Sequence, residues 1–180
     1  SLGPKSAKTS RRIQDPPPIP MSDRFRLTLA QLNPTVGDID GNAALARSAW
    51  EAGRDAGADM VALTEMFVTG YQVQDMVMKP AFTLRAMAAI EDLARACADG
   101  PALGIGGPYA EGERLYNAYW ILQGGRVAAR ILKHHLPNDT VFDELRLYDQ
   151  GPVSGPYRIG PLRIGTPICE DAWYPDVTET

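Results

Sequence analysis

Three residues whose side chains could carry out covalent chemistry each follow a run of mostly apolar residues: Glu65, Lys133 and Cys169. Short apolar runs of this kind are typical of buried strands, so each reactive side chain is expected where a strand ends. In layered α/β proteins the ends of neighbouring strands line one crevice. The sequence therefore predicts that the three side chains converge, although they are far apart along the chain.

These residue types suit acyl transfer through a thioester. A thiol becomes a strong nucleophile when it loses its proton, and a carboxylate in a dry pocket has its pKa raised enough to accept that proton. A nearby ammonium favours the thiolate and any oxyanion that forms. Such a set would act on carbon–nitrogen bonds in amides or nitriles. Taken singly, such residues are more often a helix-capping or loop acid, a solvated lysine at a strand end and a core thiol.

The composition is that of a globular protein with an acidic body. The 180 residues are 44% hydrophobic and carry a formal net charge of −4, with four basic residues and one acidic residue among the first twenty. An acidic body disfavours nucleic acid as a partner. The chain has two cysteines, too few for a disulfide framework, and no apolar run long enough for a bilayer span. We therefore expect a cytoplasmic protein that binds neither nucleic acid nor membranes.

The beginning of the chain differs in composition from the rest. Residues 1–20 are basic and rich in proline and have no apolar segment, so we expect a disordered leader, no signal peptide and a start at Met21. Residues 21–180 are long enough for one domain or part of one.

Strand-like and helix-like patterns alternate along residues 21–180. Gly124-Gly125 separates two strand-like runs and predicts an antiparallel hairpin, whereas Cys97 lies among alanines on a helix and is predicted to pack in the core. The alternation followed by a hairpin predicts an α/β protein with a mixed sheet. The predicted strands span residues 25–32, 58–64, 102–106, 116–123, 126–132 and 162–168, the predicted helices span residues 40–57 and 80–98, with Asp40 as the first N-cap, and residues 133–161 are mostly loop.

The segments around the three reactive residues resemble, in order and spacing, the catalytic motifs of the nitrilase (carbon–nitrogen hydrolase) superfamily. Residues 63–71 surround Glu65, residues 133–138 follow from Lys133, and residues 168–173 surround Cys169. Within the superfamily, residues 136–146 and the run from Cys169 to Trp173 look most like the glutaminase domains of bacterial glutamine-dependent NAD synthetases. The resemblance covers residues 24–176.

This resemblance implies a four-layer α-β-β-α sandwich with mixed sheets, which residues 21–180 would supply only in part. It implies that Glu65 is the general base, Lys133 the electrostatic partner and Cys169 the nucleophile that attacks the side-chain amide of glutamine. Ammonia would leave, and water would hydrolyse the glutamyl thioester.

The resemblance also implies roles for four further residues. Tyr71 and Glu170 would bind the substrate, and Glu144 would be a second acid near the lysine. Asp139 stands at a substrate-binding position where the family usually has tyrosine, which removes an aromatic wall and adds a negative charge.

The implied partners lie mostly outside this chain. Ammonia would pass to the enzyme's own C-terminal synthetase domain, which uses ATP with Mg and deamido-NAD, within a homo-oligomer. Such a domain carries a Ser-Gly-Gly-x-Asp pyrophosphate motif, which does not occur here, so this chain is expected to lack that domain and to hold no cofactor. No metal site is expected either, because His134 and His135 are adjacent on an extended segment and should point to opposite faces.

Two other functions are compatible with the same residues. A free-standing amidase or carbamoylase of the superfamily would use the same three residues without ATP. A non-catalytic assembly module would carry them as relics.

Overall fold

The computed structural model describes residues 24–180, so the expected leader at residues 1–20 and the expected start at Met21 lie outside the described residues. The helices are α1 (Ile39–Asp55), α2 (Pro80–Ala96), α3 (Glu144–Leu147) and α4 (Pro175–Thr178), and the strands are β1 (Leu27–Leu29), β2 (Met60–Ala62), β3 (Ala102–Glu111), β4 (Arg114–Gln123), β5 (Arg126–Leu132), β6 (Tyr157–Ile159) and β7 (Leu162–Ile164). None of these helices is long and apolar enough to cross a membrane.

One mixed sheet holds five strands in the order β1-β2-β3-β4-β5. β1, β2 and β3 are parallel neighbours, and the helices α1 and α2 provide the long crossovers that parallel neighbours require. β3, β4 and β5 pair antiparallel. In the turn between β4 and β5, Gly124 and Gly125 have φ values of 57° and 80°, which glycine adopts without a steric penalty. The predicted mixed sheet and antiparallel hairpin are both confirmed.

Different layers cover the two faces of this sheet. Helices α1 and α2 pack on one face around Trp50 and Trp120, and Trp50 Nε1 donates a hydrogen bond to the Pro101 carbonyl at 2.8 Å. The other face, which includes Tyr119, packs against the two-stranded sheet formed by β6 and β7. Neighbouring strand residues point to opposite faces, so Tyr119 and Trp120 belong to different cores. Residues 24–180 thus supply an α, a β and a β layer of the expected sandwich.

Two strands end earlier than predicted, which changes how the site is built. β2 ends at Ala62, so Glu65 lies in the loop that follows it, and β7 ends at Ile164, well before Cys169. Pro167 has no N–H with which to continue a ladder, so the chain from residue 165 to residue 168 is irregular. Glu65 and Cys169 therefore project from loops beyond the strands.

Three other boundaries also differ. Helix α1 is capped by Asp38 and not by Asp40, because the Asp38 carboxylate accepts the Gly41 N–H at 2.9 Å. β3 continues past residue 106 to Glu111 because β4 pairs with it along its length. β6 lies in a segment predicted to be mostly loop, where antiparallel pairing with β7 stabilises it.

Cys97 packs in the core, as predicted. Its side chain is buried among the residues between the helices and the sheet. Burial raises the pKa of this thiol to about 11, so it remains protonated and shielded from reagents.

Candidate active site

Lys133 lies at the centre of a buried ion cluster. Its side chain has no exposed surface, and its Nζ lies 2.7 Å from Glu65 Oε1 and 2.8 Å from Glu144 Oε2. It also donates a hydrogen bond to Glu144 Oε1 at 3.0 Å. Burial alone would lower the pKa of Lys133, but the two carboxylates outweigh burial and raise it. The lysine therefore stays charged between two acids.

The backbone of Lys133 is held by the sheet. Lys133 follows β5 directly, and its N–H donates a hydrogen bond to the Asn117 carbonyl of β4 at 2.9 Å. Its own carbonyl accepts the Gly151 N–H at 2.9 Å. A side chain that starts from paired strands is held more precisely than one on a free loop, so the position of the ammonium is well defined.

Glu65 is placed by a loop that crosses close to β3. The Gly106 N–H donates a hydrogen bond to the Thr64 carbonyl at 3.2 Å. A Cβ atom on Gly106 would lie 2.1 Å from Met66 N, so only glycine permits this approach. Asn117 Nδ2 then donates to Glu65 Oε1 at 2.7 Å, which orients the carboxylate itself.

Glu144 links the lysine to Tyr71. The Tyr71 hydroxyl donates a hydrogen bond to Glu144 Oε1 at 3.0 Å. Burial raises the pKa of Glu144, whereas the hydrogen bond from Lys133 opposes the rise. Burial, followed by the charge of Glu144, also raises the pKa of Tyr71, so the phenol keeps its proton and acts as a donor.

Cys169 shares a cavity with Glu65. The cavity has a volume of about 220 Å³, and both residues line it. Cys169 is exposed, begins a 3₁₀ helix that ends at Trp173, and has a φ of 49°, a left-handed conformation that is unfavourable for residues other than glycine. Partial burial and then the charge of Glu65 raise the pKa of the thiol, while Lys133 opposes the rise. The thiol is therefore protonated at neutral pH and needs a base.

Asp171 connects the turn that begins at Cys169 to the segment that follows Lys133. Its side chain is buried, and its Oδ1 accepts the N–H groups of His134 at 3.2 Å and His135 at 2.7 Å. Its Oδ2 accepts the Ile168 N–H at 3.3 Å. One carboxylate thus satisfies donors from both segments. The sequence alone gives Asp171 no role, because an acid in the turn after Cys169 is also compatible with solvent exposure.

We expect Asp171→Ala to lower the free energy of unfolding by about 2–4 kcal/mol, because it leaves one buried and two partly buried N–H groups without their acceptor. Urea unfolding followed by tryptophan fluorescence measures the change. Asp149→Ala is the matched control, since the exposed Asp149 carboxylate accepts a single backbone N–H, from Leu115 at 2.9 Å, and its loss should cost less than about 1 kcal/mol. Equal effects of the two substitutions would contradict the bridging role.

Two residues expected to bind substrate lie outside the ion cluster. Asp139 is exposed, and within residues 24–180 its carboxylate forms no hydrogen bond or ion pair. Glu170 directly follows the cysteine, and its Oε1 accepts a long hydrogen bond from the Tyr174 hydroxyl at 3.4 Å. Tyr71, by contrast, contacts the cluster directly through Glu144.

The expectation that His134 and His135 point to opposite faces was wrong. Their rings contact each other with centroids 4.7 Å apart, and His135 Nε2 lies 3.0 Å from Asp176 Oδ1. The alternation rule applies to regular strands, whereas this segment leaves β5 and is bent by its hydrogen bonds to Asp171. The two histidines and Asp176 offer ligand atoms within 4.8 Å of one another, so the absence of a metal remains a prediction.

The fold and this site define a class of protein. A layered α/β protein in which a thiol and a carboxylate line one cavity, with a buried lysine between that carboxylate and a second one, has the groups that acyl transfer requires. Residues 26–179 match the model of the carbon–nitrogen hydrolase family, and the chain belongs to that family.

Proteins named glutamine-dependent NAD(+) synthetase are similar in sequence to this chain. One from Rhodobacter capsulatus is 66% identical over 157 residues, which cover 87% of this chain and 28% of that protein. One from Thermotoga maritima is 34% identical over 152 residues, which cover 84% of this chain and 26% of that protein. The chain therefore spans little more than a quarter of the length of these relatives.

Solved structures share the fold. A glutamine-dependent NAD+ synthetase from Acinetobacter baumannii has a TM-score of 0.78 and 26% identity, and the match covers 86% of this chain and 29% of that chain. A mutant amidase from Nesterenkonia sp. AN1 has a TM-score of 0.74 and 21% identity, covering 86% of this chain and 61% of that chain. The predicted nitrilase-like α/β fold is confirmed.

Proposed function

We propose that this chain is the glutaminase part of a glutamine-dependent NAD synthetase. The observation that carries the proposal is the pairing of Lys133 with Glu65 and Glu144 within 3.0 Å, beside the cavity that Glu65 shares with Cys169. The 66% identity to the Rhodobacter capsulatus synthetase over 87% of this chain supports glutamine as the amide.

In the first half of the proposed reaction, Glu65 removes the proton from Cys169 Sγ, and the thiolate attacks the side-chain carbonyl carbon of glutamine. The amide oxygen becomes negatively charged, and the Lys133 ammonium stabilises it. Glu65 then gives the proton to the departing nitrogen. Ammonia leaves, and a glutamyl thioester remains on Cys169.

In the second half, water replaces ammonia. Glu65 removes a proton from water, the hydroxide attacks the thioester carbonyl, and the Cys169 sulfur leaves. The proton held by Glu65 returns to that sulfur, so glutamate is released and the site is restored. Glu144 holds the Lys133 ammonium in place during both halves, because its carboxylate lies 2.8 Å from Nζ.

Three residues are proposed to bind glutamine. The Glu170 carboxylate follows the nucleophile and suits the α-amino group, because a charge-assisted hydrogen bond between them would orient the substrate. Tyr71 reaches the cluster through Glu144. Asp139 is exposed and would contact a substrate that arrives from solvent.

The ammonia would be consumed outside this chain. A C-terminal synthetase domain would activate deamido-NAD with ATP and Mg and would then amidate it, within a homo-oligomer. The chain itself is proposed to hold no cofactor and no metal ion and to bind neither nucleic acid nor membranes.

The test uses the protein expressed from the complete reading frame that contains this chain. We expect it to release glutamate and ammonia from glutamine, and a diazoketone analogue of glutamine to form an adduct that mass spectrometry maps to Cys169. Preferential hydrolysis of simple aliphatic amides or of carbamoyl amino acids would favour the free-standing amidase or carbamoylase. Labelling confined to Cys97, or no labelling, would support a non-catalytic module.

A further inference from the structure

Asn117 contacts the ion cluster at two points. Its side chain lies on β4 and is 1% exposed. Its Nδ2 donates a hydrogen bond to Glu65 Oε1 at 2.7 Å, and its backbone carbonyl accepts the Lys133 N–H at 2.9 Å. A single residue in the interior of the sheet therefore holds both the carboxylate of the proposed base and the backbone of the lysine.

The two oxygens of Glu65 have different surroundings because of this contact. Oε1 lies 2.7 Å from Lys133 Nζ and 2.7 Å from Asn117 Nδ2. A carboxylate oxygen offers about two lone-pair sites, so both sites on Oε1 are occupied. Within residues 24–180 no donor forms a hydrogen bond to Oε2, so that oxygen retains its lone pairs for a proton.

The amide of Asn117 is poorly suited to a purely packing role. Its face of β4 also carries Tyr119 and Ile121, whose apolar surfaces pack against the second sheet. Its Oδ1 is buried and has no hydrogen-bond partner among the described residues. A buried polar atom without a partner is unfavourable, and an apolar side chain would avoid that penalty. The amide is therefore explained by its contact with Glu65.

We propose that Asn117 is a positioning residue that occupies Glu65 Oε1 and leaves Oε2 as the oxygen that exchanges protons. This inference rests on the proposed glutaminase reaction. The Sγ–H bond of Cys169 breaks as an O–H bond forms at Oε2, and the same proton then leaves with ammonia. A neutral amide suits this position because it donates a hydrogen bond without adding a charge beside the two glutamates.

Two substitutions separate positioning from packing. Asn117→Leu keeps the branching at Cγ and removes the donor, whereas Asn117→Asp keeps the shape and places a second carboxylate against Glu65. Thr83→Val is the matched control, because it removes a different buried hydrogen bond, from Thr83 Oγ1 to the Val77 carbonyl at 2.6 Å.

The charged and titratable groups that act on the Glu65 carboxylate are Lys133, Glu144, Tyr71, Tyr148 and Cys169.

The experiment measures kcat, KM and the pH dependence of glutamine hydrolysis in the protein from the complete reading frame. Asn117→Leu is expected to lower kcat about 100-fold across the profile and to change KM less than about threefold, because a fixed partner of the base is lost. In Asn117→Asp the two carboxylates hold a shared proton more tightly than either would alone. The acidic limb of its kcat profile is therefore expected to move up by at least about one pH unit. Thr83→Val is expected to lower the melting temperature and to leave kcat and the profile unchanged.

The possible results separate a failure of the Asn117 inference from a failure of the proposed glutaminase function. Wild-type kcat in Asn117→Leu, or a loss that arises from KM alone, overturns the inference and leaves the glutaminase function standing. If Asn117→Leu does not fold, the profile of Asn117→Asp decides, and an unmoved acidic limb overturns the inference. A wild-type protein that releases no ammonia from glutamine overturns the proposed function and this inference together.

Discussion

Cys169→Ala is expected to lower the kcat for glutamine hydrolysis by at least about 10⁴-fold, because it removes the side chain that forms the covalent bond to the substrate carbon in the proposed mechanism. Residual activity would come from the remaining polar groups acting on water. The substitution should abolish the adduct with the diazoketone analogue of glutamine. Steady-state ammonia release and intact-mass measurement test both expectations.

Cys97→Ala provides the control for this prediction. Cys97 is buried in the core between the helices and the five-stranded sheet, and its pKa of about 11 keeps it protonated. Turnover and labelling should therefore match the wild type. The smaller side chain leaves a small cavity and should lower the free energy of unfolding by about 1–2 kcal/mol. Persistent labelling in Cys169→Ala, or its loss in Cys97→Ala, would contradict the assignment of the nucleophile.

Lys133→Met is expected to destabilise the domain by about 3–5 kcal/mol and to lower kcat by at least about 10³-fold. The substitution keeps an unbranched side chain in a fully buried position but leaves Glu65 and Glu144 without their shared cation. An uncompensated buried charge is the main cause of such losses, and kcat falls because the oxyanion loses its electrostatic partner. Urea unfolding and glutamine turnover measure the two effects separately.

The stability of Lys133→Met is expected to decrease as pH rises. Burial already raises the pKa of Glu144 in the intact cluster, against the opposition of Lys133. Without Lys133 the folded variant binds protons more readily than its unfolded chain, so its stability decreases as pH rises. The loss of unfolding free energy relative to the wild type should therefore be larger at pH 8 than at pH 5. A deficit that grows on acidification would contradict this account of the cluster.

Two further variants complete this test. Lys133→Met combined with Glu144→Gln removes one of the stranded charges, so part of the stability should return while kcat stays low. Lys79→Met removes an exposed lysine and should change the free energy of unfolding by less than about 0.5 kcal/mol. Recovery of kcat in the double variant would show that the lysine acts on stability alone.

The elements that could be predicted from sequence are those dictated by local periodicity. The apolar pattern of residues 80–98 predicted helix α2, which spans Pro80–Ala96. Gly124-Gly125 predicted the hairpin between β4 and β5 because few residues other than glycine adopt the required backbone conformation. The ends of β2 and β7 were predicted too late, because an apolar run continues into buried loop residues such as Leu63 and Ile168 as readily as into a strand.

The side chains that hold the site could not be predicted, because their partners are distant in sequence. Asn117 and Asp171 look like ordinary polar residues in a hairpin and a turn. Asn117 takes its function from its hydrogen bond to Glu65. Asp171 takes its function from its hydrogen bonds with the backbone N–H groups of His134 and His135. The arrangement of the two histidines around Asp176 was missed for the same reason.

The sequence by itself determined the types of the reactive groups, their order and the α/β class, since these depend on residue identity and local periodicity. The tertiary structure alone decided that Lys133 is shared by two carboxylates and that Glu65 and Cys169 line one cavity. It also decided that one oxygen of Glu65 is occupied by two donors. The physical reason is that hydrogen bonds and burial act over a few ångströms in space, whereas a sequence pattern records only neighbours along the chain.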